Sequence, residues 1–170
     1  LEYLRKMTTT VTTEKTIVEA NWNTIRIQEQ ASRVLGLNWM TAMQLLHKFG
    51  GEKAVTEFKH AMEAHKVEYF KGLGVKTPFE LVKAIAEFDV NVYGSKVEIW
   101  GNEKSATLHY LSCGMFKALE QAGLIKDENR EEMSKGMEAC MTSLASKFDF
   151  TTGVEMCSKE KTATVTFTRK

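Results

Sequence analysis

A cysteine at Ser112-Cys113-Gly114 stands where a β-like run hands over to a helical one. A thiol at a helix N-terminus faces unpaired backbone N–H groups and the positive end of the dipole, which favour thiolate. Cys113 is therefore the first candidate for chemistry, as a nucleophile or as a soft metal ligand. The plain alternative is a small buried residue at a strand end, since free cysteine is among the most buried residue types. His109 lies four residues earlier, on the same side under strict alternation. The strand rise separates the two by ~13 Å, beyond the reach of a general base.

Two further cysteines, Cys140 and Cys157, fall in the same half of the chain. No Cys-x-x-Cys spacing links the three, so a zinc ribbon is not indicated. Convergence of Cys113, Cys140 and Cys157 in the fold could still hold a metal with its fourth position open. Cys140 also sits on a helical stripe with Met133, Met137, Met141 and Leu144, where packing is the simpler role. His60 and His65 are five apart on a predicted helix, ~140° round it, so they do not form a same-face ligand pair. Trp100 and Glu98 share the polar side of a predicted strand, where an aromatic could line a pocket or a partner surface.

These residues need elements to position them. Helical spacing runs from Glu14 to Leu35, stops at Gly36, resumes after a cap at Asn38, and breaks at Gly50-Gly51. A third helix starts at Glu52 and ends near Gly72 and Gly74. Thr77-Pro78-Phe79-Glu80 is a capping box with proline at the first helical position, opening a fourth helix that carries Leu81, Val82 and Ile85. After Phe88 the period changes. Val90 and Val92 read as one strand, Gly94-Ser95 as a turn, Val97 and Ile99 as a second strand, and Ser105–Ser112 as a third. Helices follow at 115–122 and from Asp127 to about Lys147. Two strands close the chain, with Ala163, Val165 and Phe167 alternating against Thr162, Thr164, Thr166 and Thr168. The expected fold is α+β: an antiparallel sheet of about five strands with helices packed on it and a helical N-terminal half.

The chain has 170 residues, 43% hydrophobic and 26% charged, which suits one globular domain. Residues 1–13, rich in threonine and beginning before Met7, read as a disordered or appended tail, leaving 14–170 as the domain. With 23 basic and 22 acidic residues the formal charge is +1, and no basic face marks a nucleic-acid binder. No apolar run approaches a membrane span and no signal-peptide core follows the N-terminus. Three cysteines do not make a secreted disulfide framework, so a cytoplasmic location is expected.

From about Asn21 onward the chain resembles the L-2-amino-thiazoline-4-carboxylic acid hydrolase family and, more distantly, the 4-vinyl-reductase type of small-ligand-binding domain. The likeness rests on Asn21-Trp22 before Lys48-Phe49-Gly50-Gly51-Glu52-Lys53-Ala54, on Cys113 between strand and helix, and on Cys140 with Cys157. Gly114 stands where the family usually has proline, and Ala163-Thr164 occupy the region of a closing cysteine. The resemblance implies one of two activities. A ligand-binding domain would hold a small apolar or tetrapyrrole-like molecule, or a metal ion, near Cys113, with His109, Trp100 and Glu98 as further contacts. A thiazoline-type hydrolase would use Cys113 to attack a C=N or C=O carbon, with helix N-terminal amides stabilising the anion. A third reading is an accessory subunit of a larger enzyme, and a homo-oligomer is also open.

Overall fold

The computed structural model describes residues 17, 19–125, 130–157 and 162–170, without the side chains of residues 130, 132, 133 and 157. The expected tail at 1–13, the cap at Asp127, Met133 on its stripe and the Lys/Glu turn at 158–161 lie outside this description. Four helices and four strands follow in order: α1 (Thr24–Gly72), α2 (Pro78–Tyr93), β1 (Lys96–Gly101), β2 (Ser105–Ser112), α3 (Gly114–Gln121), α4 (Arg130–Ser146), β3 (Phe150–Cys157) and β4 (Thr162–Arg169). The architecture is α+β, with one antiparallel sheet in the order β1-β2-β4-β3.

Among the described residues the first helix begins at Thr24, where Asn23 caps it by accepting a hydrogen bond from the Arg26 N–H at 2.9 Å; the expected start at Glu14 lies outside them. It runs through Gly36 and Asn38, where the sequence predicts a stop and a fresh cap. Gly36 is buried in the helix against Leu119 of α3 and would give an added Cβ only 3.1 Å, so close packing explains this glycine. At Gly51 (φ 66°, ψ −168°) the helix does break, as expected. Trp39 and Phe58 then meet with ring centroids 5.1 Å apart, whereas a straight helix would separate them by ~28 Å. Segments 24–50 and 52–72 thus form a helical hairpin, with His47 and Glu52 paired across the bend at 2.9 Å.

The capping box opens α2 as the sequence predicts, with Thr77 and Glu80 bonding each other's backbone N–H. This helix does not stop at Phe88. Val90 and Val92 lie in its last turns, which is why four strands form where about five are expected. Gly94, in the left-handed region at φ 68°, is the helix's C-terminal cap. The terminal carbonyls find donors on α1: Gln28 Nε2 donates to Val90 and Asn91 at 2.7 Å, and Ser32 Oγ to Val92 at 3.0 Å. Those side chains satisfy groups that would otherwise fray the last turn.

Leu81, Val82 and Ile85 of α2, Leu144 and Ala145 of α4, and Val67 and Phe70 of α1 pack on one face of the sheet. That face presents Ala106, Leu108 and Tyr110 of β2 opposite Phe167, Val165 and Ala163 of β4. Each fully buried aliphatic here contributes about 1.5–3 kcal/mol. The alternation expected for the last strand is present. Its other face is a hydroxyl ladder, Ser105–Thr168 at 3.1 Å and Thr107–Thr166 at 3.0 Å. Among the described residues, no helix is long and apolar enough to cross a membrane.

Candidate functional site

Cys113 occupies the N-cap of α3 with extended backbone (φ −98°, ψ 117°), as its sequence position predicts. Its side of the sheet is set by an irregularity in β1–β2 pairing. Ser112 pairs with Lys96, but Tyr110 pairs with Val97, so Leu111 is an extra residue in β2. Such a bulge inverts the alternation beyond it. Cys113 consequently packs against the core, while His109 remains on the hydroxyl face.

The junction is built on a close backbone approach. A Cβ on Gly114 would lie 1.6 Å from the Tyr93 carbonyl oxygen, so only glycine fits at this point. The Gly114 N–H also donates to Ser95 Oγ at 3.1 Å. Proline here would remove that donor and collide with Tyr93.

Around the thiol stands a set of polar side chains drawn from α2, from β2 and from the turn that follows α2. Tyr110 on the core face of β2 donates a hydrogen bond to the Asp89 carboxylate of α2. The Asp89 carbonyl accepts from Ser95 N–H at 3.1 Å, fixing the chain as it leaves the helix. Tyr93, one turn on, stacks edge-on against Phe88 with centroids 5.5 Å apart. Burial pushes Asp89 up from the ordinary carboxylate value, against the Tyr110 hydrogen bond and the Lys66 charge, which lower it. Burial likewise raises Tyr93 to about 12 and Tyr110 well above 10.0, with the charges of Asp89, Cys113 and Cys140 adding to both.

The Cys113 thiol is also pushed up, first by burial and further by the Asp89 charge. The N–H groups of Phe116 and Met115 and the Ser95 side chain act the other way. The favourable helix-end position expected from sequence is therefore present, but desolvation outweighs it. At neutral pH this is a thiol, and its neighbours are two protonated phenols and a carboxyl displaced towards its neutral form.

The remaining candidates are distributed elsewhere. Glu98, His109 and Thr164 stand side by side across three strands on the hydroxyl face, with His109 Nδ1 and Thr164 Oγ1 2.9 Å apart. Trp100, half exposed, shares that face with its ring 6.4 Å from His109. The structure thus brings Glu98, His109 and Trp100 together but sets them on the opposite side of the sheet from Cys113. Cys140 is exposed on α4, off the buried stripe expected for it. It flanks the core-facing Met137, Met141 and Leu144, and from that edge its charge still reaches Tyr93 and Tyr110. Cys157 ends β3 opposite Thr162 in register, and its side chain lies outside the described residues. Among the described residues no three His, Cys, Asp or Glu side chains are grouped to hold a metal.

Two surface depressions lie away from the thiol. One of about 350 Å³ runs between Val90 of α2 and Val97 and Ile99 of β1; one of about 410 Å³ lies between His60 and Glu63 of α1 and Lys147 after α4. Asp89, Tyr93, Ser95 and Tyr110 are the site residues sequence reasoning missed. A carboxylate at position 89, continuing the apolar stripe of Leu81, Val82, Ile85 and Ala86, was the available signal. Compared with known proteins, the chain matches no family model, and no curated protein aligns with it.

Proposed function

We propose that this chain is a small-ligand-binding domain whose recognition groups are those at the α2–β2–α3 junction, with Cys113 as a contact to the ligand. The observation carrying this reading is the gathering of Asp89, Tyr93 and Cys113, all half-buried, around the buried Ser95 and Tyr110 at the edge of an otherwise apolar core. Burying polar groups costs free energy, and here Asp89, Tyr110 and Ser95 are held in place by pairing with one another and with Gly114. With Tyr110 bonded to Asp89 and the first N–H groups of α3 bonded to Ser95 and Cys113, the Tyr93 hydroxyl and the Cys113 thiol are the neutral donors left to a ligand. Such an array suits an apolar ligand bearing a carbonyl or carboxyl edge, of the tetrapyrrole-like class that the family resemblance suggests. A raised thiol pKa, with His109 on the far face, favours a binding contact over a thiazoline-opening nucleophile.

Titration of the full chain with protoporphyrin IX, followed by its absorption band, tests this reading. One saturable equivalent per chain is expected, weakened roughly tenfold by Tyr93→Phe if one hydrogen bond of about 1.4 kcal/mol is lost. Non-saturable partitioning, unchanged by Tyr93→Phe and Cys113→Ala, would contradict it.

A further inference from the structure

The first arm of the helical hairpin carries two apolar faces, and the described residues of the domain cover only one of them. Ser32, Gly36 and Trp39 turn towards α2, α3 and the second arm. Ile27, Val34, Leu35, Leu45 and Phe49 remain 52, 54, 42, 49 and 78% exposed. At helical spacing these five, with Ala31 and Asn38, fall within an arc of about 100°. The arm's charged side chains, Arg26, Glu29, Arg33 and Lys48, all fall outside that arc. A helix apolar on two sides is one that is covered on two sides.

The order of residues along this stripe specifies the cover. Asn38 is exposed at its centre, equidistant in sequence from Ile27 and Phe49, from Ala31 and Leu45, and from Val34 and Ala42. An antiparallel copy related by a two-fold axis through Asn38 places Ala31 against the partner's Leu45 and Val34 against the partner's Ala42. Small residues then face larger ones, as interdigitated layers require. Asn38 meets the partner's Asn38, and an amide carries both the donor and the acceptor that such self-pairing needs. A polar residue at one seam position is also a known means of fixing register. Asparagine is a poor residue for a helix interior, and this pairing gives it a purpose.

We infer that the protein forms an isologous dimer through this stripe, with the two first arms antiparallel. Ile27 to Phe49 spans ~33 Å of helix. From the exposures above, the stripe offers roughly 600 Å² per copy, so about 1,200 Å² for the pair, the lower bound of a specific interface. Charges do not oppose it, because Lys48 falls opposite the partner's Gln28 and Arg26 opposite the partner's Gly50. The inference is independent of the ligand-binding reading.

Light scattering of the full chain at 100 µM gives twice the 19.3 kDa chain mass if the pairing is right. Leu45→Glu, at a half-exposed position, then weakens dimerisation at least 100-fold while the circular dichroism spectrum is unchanged. Under mild oxidation Asn38→Cys cross-links to itself. Ala31→Cys cross-links only when mixed with Leu45→Cys, as identified by peptide mass spectrometry against the wild-type background. A monomer at 100 µM overturns the inference, even if some other protein binds the stripe. So does a dimer that survives Leu45→Glu, or one in which Ala31→Cys cross-links to itself.

Discussion

The two faces of strand β2 carry similar inventories and behave differently. On one, the buried Tyr110 meets Asp89 beside a partly buried Cys113, and all three are displaced upward from their ordinary values by desolvation. On the other, His109, Thr164 and Glu98 lie along a half-exposed row beside Trp100, within reach of solvent. Residue type alone would rank the second face higher, with its histidine, carboxylate and tryptophan. Burial and a single extra residue at Leu111 give the chemistry to the first. A polar group acquires unusual properties where water is excluded and its partners are fixed, and the packed side of this sheet does both.

Disturbing the junction separates the two faces most sharply. Gly114→Ala forces a Cβ onto the Tyr93 carbonyl and is expected to cost at least ~3 kcal/mol, or roughly 10 °C in melting temperature. Thermal denaturation measures it, and a shift of a degree or two would show that the backbones can part. Removing the buried carboxylate comes next. Asp89→Ala leaves the Tyr110 hydroxyl without its acceptor and is expected to cost about 1–3 kcal/mol in urea unfolding, with Asp89→Asn costing less.

The phenols set the pH dependence. Both Tyr93 and Tyr110 bind their protons more tightly when folded, so the unfolded chain ionises first as pH rises through about 10. Their contribution to stability is complete below that value and is lost as pH climbs towards 12. Spectrophotometric titration should show two of the four tyrosines ionising late, and Tyr93→Phe should flatten the alkaline limb of the stability curve. Smallest is the effect on the other face. Thr164→Val removes one partly exposed hydrogen bond to His109 and is expected to cost under ~1 kcal/mol, leaving Cys113 reactivity unchanged.

Much of the scaffold was legible where local chemistry decides it. The Thr77-Pro78-Phe79-Glu80 cap, the Gly50-Gly51 break and the Ala163/Val165/Phe167 alternation all have local causes, and all are found as read. Val90 and Val92 misled because Gln28 and Ser32, some sixty residues away, supply the donors that keep α2 helical to Tyr93. No short-range pattern encodes that. Cys113 was legible as a helix-start thiol, but its electrostatics were not, because the bulge at Leu111 and the approach of Gly114 to Tyr93 decide its burial. Asp89 and Tyr110 share no motif and meet only through the packing of α2 on β2.

Alkylation tests the central claim most directly, that Cys113 is a partly buried thiol whose desolvation outweighs the N–H groups of α3. The rate of iodoacetamide modification at Cys113, followed peptide by peptide against pH, should be slow at pH 7 and rise with a midpoint above the ordinary thiol value of 9.0. Rapid modification at pH 7, with a midpoint below ~8.5, would mean that the N–H groups of α3 prevail over burial and that Cys113 is an activated nucleophile.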